Sequence, residues 1–396
     1  MNLILFDDQS WEDLLPLTFT KPISKLRVGI LTIAEKWESF SGQPVSYLTR
    51  PFLQNKFPLI ASDDNLLINA TLLPEASLTE ILFNTKKGQS YIKDGRLLSA
   101  RLTGDQLENF NSDIWIEQGT GYAAPVRMID YPWKIFGLNG DEIKSDIEII
   151  TKDRQSEPLS KSINVIGSEK IFVEKGFKGE YFTLNASSGP IYLGPDSEIM
   201  EGSLIRGPFS LGENSTIKLA AKIYGPTSIG PHCKAGGEIN NSVLQAYSNK
   251  GHDGFLGNSV IGEWCNLGAD TNNSNLKNNY AEVKLWNYKK ERFVKTGLTF
   301  CGLVMGDHSK CGINTMFNTG TVVGVSANIF GSGFPRNFIP SFSWGGAHGF
   351  DVYKLEKVIE TANLVMERRD LHLDSNDREI LEWVFEYSKK YRKLLQ

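Results

Sequence analysis

A six-residue period of aliphatic side chains runs through the middle of the chain. Its first run has no miss and consists of Leu193, Ile199, Ile205, Leu211, Ile217, Ile223 and Ile229. Four residues after each aliphatic comes a side chain that is small in all cases but one: Ser197, Ser203, Phe209, Ser215, Ala221, Thr227 and Cys233. Glycine follows every third aliphatic, so the larger repeat is 18 residues long. The pattern predicts a parallel β-helix whose triangular coil has three six-residue sides and stacks the aliphatics inside.

The phase of this repeat slips by two residues around 236–254 and then recovers. The period returns at Phe255, Ile261 and Leu267, and later at Met305, Cys311, Phe317, Val323 and Ile329. Residues 269–300 separate the two later runs; they are rich in Asn at first and then in Tyr, Trp and Lys. This insertion predicts a loop that projects outward from the solenoid, and loops on rigid scaffolds often carry function. We expect Trp286, Tyr288 and Phe293 to fill the core of that loop, with stacking on an adenine as the alternative.

The two ends of the chain have other patterns. Short apolar segments at Leu3–Phe6 and Leu66–Ile68 predict strands, and residues Ile30 to Phe40 suit a helix, so the start is predicted to be mixed α/β. From Asp351 onward there is neither Gly nor Pro, and apolar side chains recur at helical spacing. Residues 374–377 are typical of a cap before a second helix that we expect to reach Leu395.

Composition narrows the class of protein. The 396 residues are 40% hydrophobic and 22% charged with a net charge of −4, which favours a folded globular protein and gives no basic footprint for nucleic acid. No apolar run approaches the ~18 residues of a membrane span, and the first residues lack the features of a signal peptide. The four cysteines have no CxxC spacing, so we expect reduced thiols, no metal site and a cytoplasmic protein without nucleic-acid or membrane partners. Three of them, Cys233, Cys265 and Cys311, fall at small or inward repeat positions and are expected to be buried.

The N-terminal segment resembles the signature of sugar-1-phosphate nucleotidyltransferases. The similarity rests on Leu14-Leu15-Pro16-Leu17-Thr18, Lys21-Pro22 and Leu26-Arg27-Val28-Gly29. Residues 131–136 resemble the start of the helix that closes such domains. The cations that the resemblance leaves as ligands for a sugar phosphate are Lys21, Lys25 and Arg27.

This segment departs from the family pattern at its phosphate loop. Residues 7–13 carry three aspartates and a glutamate where the family has glycines and an arginine, and acidic groups repel a triphosphate. Thr71 stands where the family has the aspartate that holds Mg²⁺. The resemblance therefore implies a degenerate domain with impaired nucleotidyl transfer, and Mg²⁺ is expected as a cofactor only if that domain is active.

The second half resembles the acetyltransferase part of the bifunctional GlmU-type family. The similarity spans about residues 190–335 and centres on Lys250-Gly251-His252-Asp253-Gly254-Phe255-Leu256-Gly257, followed by Gly268-Ala269-Asp270-Thr271 and Asn275. It implies a left-handed parallel β-helix, acetyl-CoA as acyl donor, a sugar phosphate or nucleotide sugar as acceptor, and a homotrimer. By the same resemblance His252 is the general base, because neutral imidazole can take a proton from the attacking amine.

Further site residues follow from this resemblance. Asn275 matches an asparagine that contacts the acetyl or amine group, and Lys284 a lysine that meets phosphate or coenzyme A. Asp270 replaces a glycine and is expected to hold the amine or orient His252, with Asp253 as a substrate contact. Gly236-Gly237-Glu238 stands where the family has a basic pair for the sugar phosphate, so the acceptor is expected to differ from glucosamine 1-phosphate.

Together these patterns predict an α/β plus β protein. A degenerate GT-A/Rossmann-like domain (1–150) precedes a left-handed hexapeptide-repeat β-helix (160–349) and C-terminal helices (350–396). The leading hypothesis is acyl transfer by the β-helix. Two alternatives stay open: active sugar-1-phosphate nucleotidyl transfer with the β-helix serving trimerisation, and a non-catalytic trimer that binds sugar phosphates.

Overall fold

The computed structural model describes residues 1–393, and the chain divides into two compact units. The first unit comprises Met1–Leu14, Lys21–Leu26 and Leu31–Tyr131, and the second comprises Leu15–Thr20, Arg27–Ile30 and the chain from Pro132 onward. Two short N-terminal segments therefore belong to the unit that contains the solenoid.

The first unit is a six-stranded mixed sheet with short helices, as the sequence predicted. Its strands are β1 (Asn2–Phe6), β2 (Val45–Leu48), β3 (Asn65–Asn69), β4 (Ser90–Lys93), β5 (Arg96–Leu102) and β6 (Thr120–Gly121). Its helices are α1 (Ser10–Asp13), α2 (Ile33–Ser41), α3 (Pro51–Gln54), α4 (Ala76–Phe83), α5 (Gly104–Glu108) and α6 (Ser112–Glu117), with a 3₁₀ turn at Ile23–Lys25. The strand order is β2-β1-β3-β5-β4-β6, in which β1 pairs in parallel with β2 and β3 while β5 runs antiparallel to β3 and β4.

Helix α2 begins three residues later than predicted, and its cap explains why. The Thr32 side chain accepts from the Glu35 backbone N–H at 3.2 Å, while the Glu35 carboxylate accepts from the Thr32 N–H at 2.6 Å. Such a capping box fixes the first turn after Thr32. The apolar Ile30 lies upstream of the cap, so hydrophobic periodicity alone placed the start too early.

The second unit is a parallel β-helix with three sides. The first side contains β7 (Asn164–Ile166), β10 (Thr183–Asn185), β13 (Leu204–Arg206), β16 (Lys222–Tyr224), β19 (Glu238–Asn240) and β22 (Phe255–Gly257). The second contains β8 (Ile171–Val173), β11 (Ile191–Leu193), β14 (Phe209–Leu211), β17 (Thr227–Ile229), β20 (Val243–Leu244), β23 (Val260–Ile261), β28 (Val304–Met305), β31 (Val322–Val323) and β33 (Phe338–Ile339). The third contains β9 (Lys178–Gly179), β12 (Glu198–Ile199), β15 (Thr216–Ile217), β18 (Lys234–Ala235), β21 (Asn249–Lys250), β24 (Asn266–Leu267), β29 (Lys310–Cys311), β32 (Asn328–Ile329), β34 (Ser343–Gly346) and β35 (Gly349–Val352).

The predicted inward positions form the core of this solenoid. All seven aliphatics from Leu193 to Ile229 are buried, and so are the residues that follow them by four. The small residues also satisfy backbone groups: the Ser215 hydroxyl donates to the Gly230 carbonyl at 2.7 Å and accepts from the Cys233 N–H at 2.9 Å. The hydroxyl thus links one coil to the next inside the core, where an unpaired polar group would be costly.

Glycine at the corner between the second and third sides is needed because the next coil approaches the backbone closely there. A Cβ on Gly230 would lie 1.8 Å from the carbonyl oxygen of Gln245 in the next coil, so close stacking of coils requires glycine there. The left-handed backbone of this corner lies two residues later, at Asn214, His232, Tyr247 and Trp264.

The phase slip is a shortening of single coils. Ser210 pairs with Ser228 at the full 18-residue repeat, whereas Ser228 pairs with Val243 and Val243 with Val260. The predicted insertion then contains β25 (Asn272–Asn273), which pairs with β30 (Met316–Phe317), and an antiparallel hairpin of β26 (Lys284–Asn287) and β27 (Arg292–Lys295). Trp286 stacks on Phe338 at 4.2 Å between ring centroids and Tyr288 is buried, as expected of aromatics that fill a core. For Phe293 the expectation is wrong, because its side chain is 41% exposed on the hairpin.

Four helices complete the second unit: α7 (Pro132–Ile150), α8 (Leu355–Glu367), α9 (Ser375–Tyr387) and α10 (Lys389–Arg392). Asp374 caps α9 as predicted, by accepting from the Asp377 N–H at 2.8 Å. The helix ends at Tyr387, well before Leu395, which lies outside the described residues. Within residues 1–393 no helix is long and apolar enough to cross a membrane, and all four cysteines are buried free thiols.

Truncating one inward aliphatic should destabilise the solenoid. Ile239 is fully buried, so Ile239→Ala should lower the free energy of unfolding by about 2–5 kcal/mol through lost burial and a cavity. Leu219 is 63% exposed at a corner, and Leu219→Ala should change it by less than about 0.5 kcal/mol. Urea denaturation followed by fluorescence checks both values; equal losses in the two variants would contradict the assignment of Ile239 to the core.

Candidate functional site

His252 lies at a corner of the solenoid between its third and first sides. Strand β21 ends at Lys250, and the chain turns through Gly254, which has a φ of +108°. A Cβ at Gly254 would lie 2.2 Å from the Thr271 carbonyl oxygen, so the neighbouring coil leaves space only for glycine. The His252 and Asp253 side chains are exposed. Within residues 1–393 the His252 ring has no hydrogen bond or ion pair, so its nitrogens face solvent.

Lys250 fixes this corner from inside the protein. Its ammonium donates to the carbonyl oxygens of Asp253, at 3.0 Å, and of His252. The side chain is buried, and this burial lowers the pKa of Lys250 to about 8. The sequence did not single out Lys250, although it occupies the inward column that Ala235 and Leu267 occupy in neighbouring coils. The presence of a lysine at an inward position of the repeat, where aliphatics are usual, was the sequence feature that could have indicated its role.

Residues of the next coil line up beside the corner. The Asp270 N–H donates to the Asp253 carbonyl at 3.1 Å. Further along, the Phe255 N–H donates to Asn272 Oδ1 at 2.8 Å, and Asn275 Nδ2 donates to Asn258 Oδ1 at 2.8 Å. Asparagine side chains thus replace part of the regular strand pairing, and they hold residues 252–258 against residues 270–275.

Asp270 and Asn275 differ in exposure. Asp270 is exposed and has a left-handed backbone with a φ of +58°. Asn275 is half-buried, with its amide nitrogen already bonded to Asn258. Lys284 lies elsewhere, on hairpin strand β26 opposite Lys295, with its side chain exposed. The structure therefore brings His252, Asp253, Asp270 and Asn275 onto adjoining coils and places Lys284 on the projecting hairpin.

A groove of about 730 Å³ runs along the outer face of the first side. Arg206 and Lys222 contribute cations to its wall, and the Tyr224 hydroxyl donates to Glu238 at 2.6 Å. Glu238 pairs with Phe255 in the adjacent strand. The groove therefore ends one coil away from the segment that follows His252. Arg206 and Lys222 supply positive charge on this face although the basic pair expected at 236–238 is absent.

The N-terminal cations have individual surroundings. Lys21 is buried in the first unit, where Lys25 also lies with its ammonium 5.1 Å from the centre of the Tyr47 ring. Arg27 belongs to the second unit, and its guanidinium donates to the carbonyl oxygens of Gln245, at 3.2 Å, and of Ile30. Binding of a sugar phosphate by these three residues stays a prediction.

The side chains of Asp7 and Asp8 in the acidic loop accept hydrogen bonds from groups within the first unit. Asp8 accepts from the Ser10 N–H at 2.8 Å and from Asn69 Nδ2 at 3.0 Å. Asp7 accepts from the Ile23 N–H at 3.0 Å. In a phosphate loop the N–H groups of the loop bind the ligand, whereas here the Asp8 side chain takes the Ser10 N–H.

The position that corresponds to a metal-binding aspartate is also engaged. The Thr71 hydroxyl donates to Asn69 Oδ1 at 2.7 Å. Among the described residues, 1–393, no group of three or more His, Cys, Asp or Glu side chains is arranged to hold a metal ion. The local chemistry around Thr71 therefore does not fit the expected Mg²⁺ site.

Burial of its carboxyl group raises the pKa of Asp7 to about 7. The hydrogen bonds from Thr49 and from the Ile23 N–H oppose this effect, and so does the nearby charge of Arg50. Desolvation is the largest cause, so the folded state holds the proton of Asp7 at pH values where an unfolded chain has released it.

Comparison with known proteins identifies the N-terminal part. Residues 3–155 match the family described as "Sugar nucleotidyl transferase". The match covers 153 of the 396 residues, so the N-terminal segment is similar to sugar nucleotidyltransferase domains. The chain also has distant bifunctional homologues: it is 33% identical over 122 residues to "Bifunctional protein GlmU" of Methanococcus aeolicus, which is 31% of this chain and 27% of that protein.

A second relative is "Bifunctional sugar-1-phosphate nucleotidylyltransferase/acetyltransferase" of Sulfurisphaera tokodaii, 36% identical over 93 residues, or 24% of this chain and 23% of that protein. The alignments therefore span about a quarter of the length of these curated relatives. Among solved structures, an Arabidopsis UDP-N-acetylglucosamine acyltransferase aligns with 54% of this chain and 80% of its own at 17% identity and a TM-score of 0.26.

The raised pKa of Asp7 predicts a pH dependence of stability. As pH rises from about 4 to 7, the unfolded state loses the Asp7 proton while the folded state keeps it, so the free energy of unfolding should fall across this window. In Asp7→Asn this loss is absent. The free energy of unfolding of Asp7→Asn, relative to that of the wild type, should therefore increase with pH, by up to about 4 kcal/mol between pH 4 and pH 7.

Urea denaturation at half-unit pH intervals from 4 to 8 measures this difference. Asp63→Asn, at an exposed position of the same unit, is the matched control and should follow the wild-type curve. Parallel curves for Asp7→Asn and the wild type would contradict a buried, protonated Asp7.

Proposed function

We propose that the solenoid transfers an acyl group from acetyl-CoA to the amine of a sugar phosphate or nucleotide sugar. The observation that carries the proposal is the corner at residues 252–254. It presents an exposed imidazole on a backbone that Lys250 and the neighbouring coil hold in place. A preorganised base next to an open groove is what such a transfer needs.

In this reaction His252 acts as the general base. The acceptor nitrogen attacks the thioester carbonyl carbon as His252 takes a proton from that nitrogen, so a C–N bond forms and the C–S bond breaks. The proton on the imidazole then passes to the departing thiolate, and the products are an amide and the coenzyme thiol. The acceptor enters this step as the neutral amine, because an ammonium group has no lone pair for attack; its extra proton is released to solvent beforehand, and the proton that His252 takes during attack is the one that ends on the thiol.

The other residues of the corner position the reactants. Lys250 holds the carbonyls of residues 252 and 253, and through them the direction of the His252 side chain. In the proposal Asp270 attracts the acceptor ammonium before deprotonation, and Asp253 on the adjoining coil assists it. The side chain of Asn275, oriented by Asn258, supplies a polar contact to the acetyl or amine group.

The groove on the first side is proposed to hold the phosphorylated part of the acceptor. Arg206 and Lys222 provide cations for phosphate oxygens, and charge-assisted hydrogen bonds of this kind are the stronger ones. Lys284, on the projecting hairpin, is proposed to reach coenzyme A. A homotrimer that acts in the cytoplasm belongs to the same proposal.

Nucleotidyl transfer by the first domain is a second candidate, which the family match of residues 3–155 favours. Lys21, Lys25 and Arg27 would then hold the sugar phosphate. The Asp8 carboxylate, which occupies the Ser10 N–H of the loop, counts against it. Mg²⁺-dependent release of pyrophosphate from UTP or dTTP with a sugar 1-phosphate would establish this activity, whereas saturable binding of ligands to either domain without products would indicate a binding protein.

Replacing the base should abolish turnover without unfolding the protein. His252→Ala should lower kcat for release of the coenzyme thiol from acetyl-CoA by about 10²–10⁴-fold, with an unchanged melting temperature because the side chain is exposed. The assay uses a panel of amino-sugar 1-phosphates and nucleotide amino sugars as acceptors.

His372→Ala is the matched control, since His372 is an exposed histidine in the C-terminal region. It should retain full activity. Acceptor-dependent thiol release that is the same in His252→Ala and in the wild type would refute the role of His252.

A further inference from the structure

A second, strongly basic cleft of about 400 Å³ opens on the third side of the solenoid, where the end of α8 lies beside it. The solenoid contributes Lys234, Asn249, Asn266 and Lys310, and the residues after α8 contribute Arg368 and Arg369. All of these residues belong to the second unit. The proposed acyl-transfer residues do not line this cleft, so it has a chemistry of its own.

Four of these residues form a straight column across consecutive coils. Lys234 pairs with Asn249, Asn249 with Asn266, and Asn266 with Lys310, in parallel register. Neighbouring strands lie about 4.8 Å apart, so the Cα atoms of the two lysines are about 14 Å apart. Two ammonium groups thus bracket two amide groups along a line that a small molecule can span.

The cations of this cleft have no acidic side chain in its lining, although Glu213 and Glu263 act electrostatically on the adjoining His232 and Tyr247. Within residues 1–393 Lys234, Lys310, Arg368 and Arg369 make no ion pair. Backbone carbonyls hold two of them in place: Lys310 Nζ donates to the His308 carbonyl at 2.9 Å, and Arg369 Nη2 donates to the His232 carbonyl at 3.2 Å.

The pKa values of the two lysines are lowered, because their charged forms are destabilised in this cleft. Burial lowers the pKa of Lys234, and repulsion from Arg369, Lys218 and Arg368 lowers it further. Burial also lowers the pKa of Lys310. Like charges gathered in a partly desolvated cleft destabilise a protein unless a counter-charge binds.

An aromatic ladder makes one edge of the cleft rigid. The rings of His232, Tyr247, Trp264 and His308 stack at successive coils, with centroid distances of 4.8, 4.2 and 6.3 Å. Tyr247 and Trp264 line the cleft directly. Each of the four residues has the same left-handed backbone, so the edge is built by the solenoid repeat and needs no ligand to form.

We propose that this cleft binds a small molecule that carries two linked phosphates, and that the ligand joins the end of α8 to the solenoid. Two linked phosphates carry two negative charges when both ends are esterified and about three when one end is free, and their oxygens extend over a longer span than those of a single phosphate, so more of the four cations can bind them at once. Asn249 and Asn266 offer donors and acceptors to the remainder of the molecule. Free pyrophosphate, a nucleoside diphosphate group and coenzyme A share this chemistry.

Binding to the full chain is measured by isothermal titration calorimetry and by the melting temperature, with sodium pyrophosphate, UDP, coenzyme A and inorganic phosphate as separate probes at equal ionic strength. Pyrophosphate should raise the melting temperature and bind at least tenfold more tightly than phosphate. Tighter binding of UDP or of coenzyme A than of pyrophosphate identifies the physiological source of the diphosphate only if Lys234→Gln and Arg368→Gln weaken it as well, because both compounds also have other proposed sites on the chain. Binding of UDP or coenzyme A that these variants leave unchanged would assign that binding to the other sites and count against the cleft as its location.

The variants Lys234→Gln and Arg368→Gln give a test with two signs. Each should weaken pyrophosphate binding at least tenfold, and each should raise the melting temperature of the unliganded protein because it relieves repulsion in the cleft. A merely structural role of these residues would lower that temperature. Lys152→Gln, at an exposed lysine, is the control and should change neither value.

Three results would overturn the proposal. They are the absence of pyrophosphate binding, equal affinity for phosphate and pyrophosphate, and undiminished pyrophosphate affinity in both cleft variants. None of these measurements uses acyl transfer, so the proposal stands or falls independently of the function of His252.

Discussion

The contact between consecutive coils is the interaction on which the second unit depends. A single coil has almost nothing to bury on its own, because its inward side chains meet only those of the coils on either side. Each inward Leu, Ile or Val gains about 1.5–3 kcal/mol from full burial, and parallel strand pairing satisfies the backbone at the same time. Since every coil repeats the same three sides, an outward residue is placed as accurately as an inward one. The column from Lys234 to Lys310 and the ladder from His232 to His308 are direct results of this register.

The repeat is broken where we propose chemistry. A buried lysine, Lys250, replaces an aliphatic in the inward column within the first coil that has a shortened repeat. Asparagines 272, 273 and 275 then bond to the preceding coil with their side chains. These polar residues bury less apolar surface than aliphatics would. Their hydrogen bonds hold the backbone around His252 at an exposed corner. Proteins commonly violate a local folding rule at functional sites and compensate elsewhere.

Much of this could be predicted from the sequence, because a solenoid converts spacing along the chain directly into position in space. The seven buried aliphatics, the outward insertion and the strands at Leu3–Phe6 and Leu66–Ile68 follow from local pattern alone. The start of α2 did not, because a side-chain cap at Thr32 overrides hydrophobic spacing. The role of corner glycines was also hidden: Gly230 is required by the approach of Gln245 in another coil.

The candidate sites divide in the same way. His252 and Asp270 could be singled out because their motif interrupts the repeat, whereas Lys250 matters through burial, which no local pattern reports. The basic cleft combines Lys234 with Arg368 and Arg369, which lie far away in the sequence and meet only when α8 folds back beside the solenoid. Similarly, a carboxylate such as Asp7 acquires an unusual pKa from surroundings that only the fold assembles.

The central claim is that His252 serves as the base for attack by an acceptor amine. The most direct measurement is a crystal structure of the protein with coenzyme A and an amino-sugar phosphate. We expect the acceptor nitrogen within hydrogen-bond reach, about 2.6–3.2 Å, of a His252 ring nitrogen, with the sugar phosphate toward Arg206 and Lys222. An acceptor bound with its amine out of reach of His252, directly or through one water, would contradict the account.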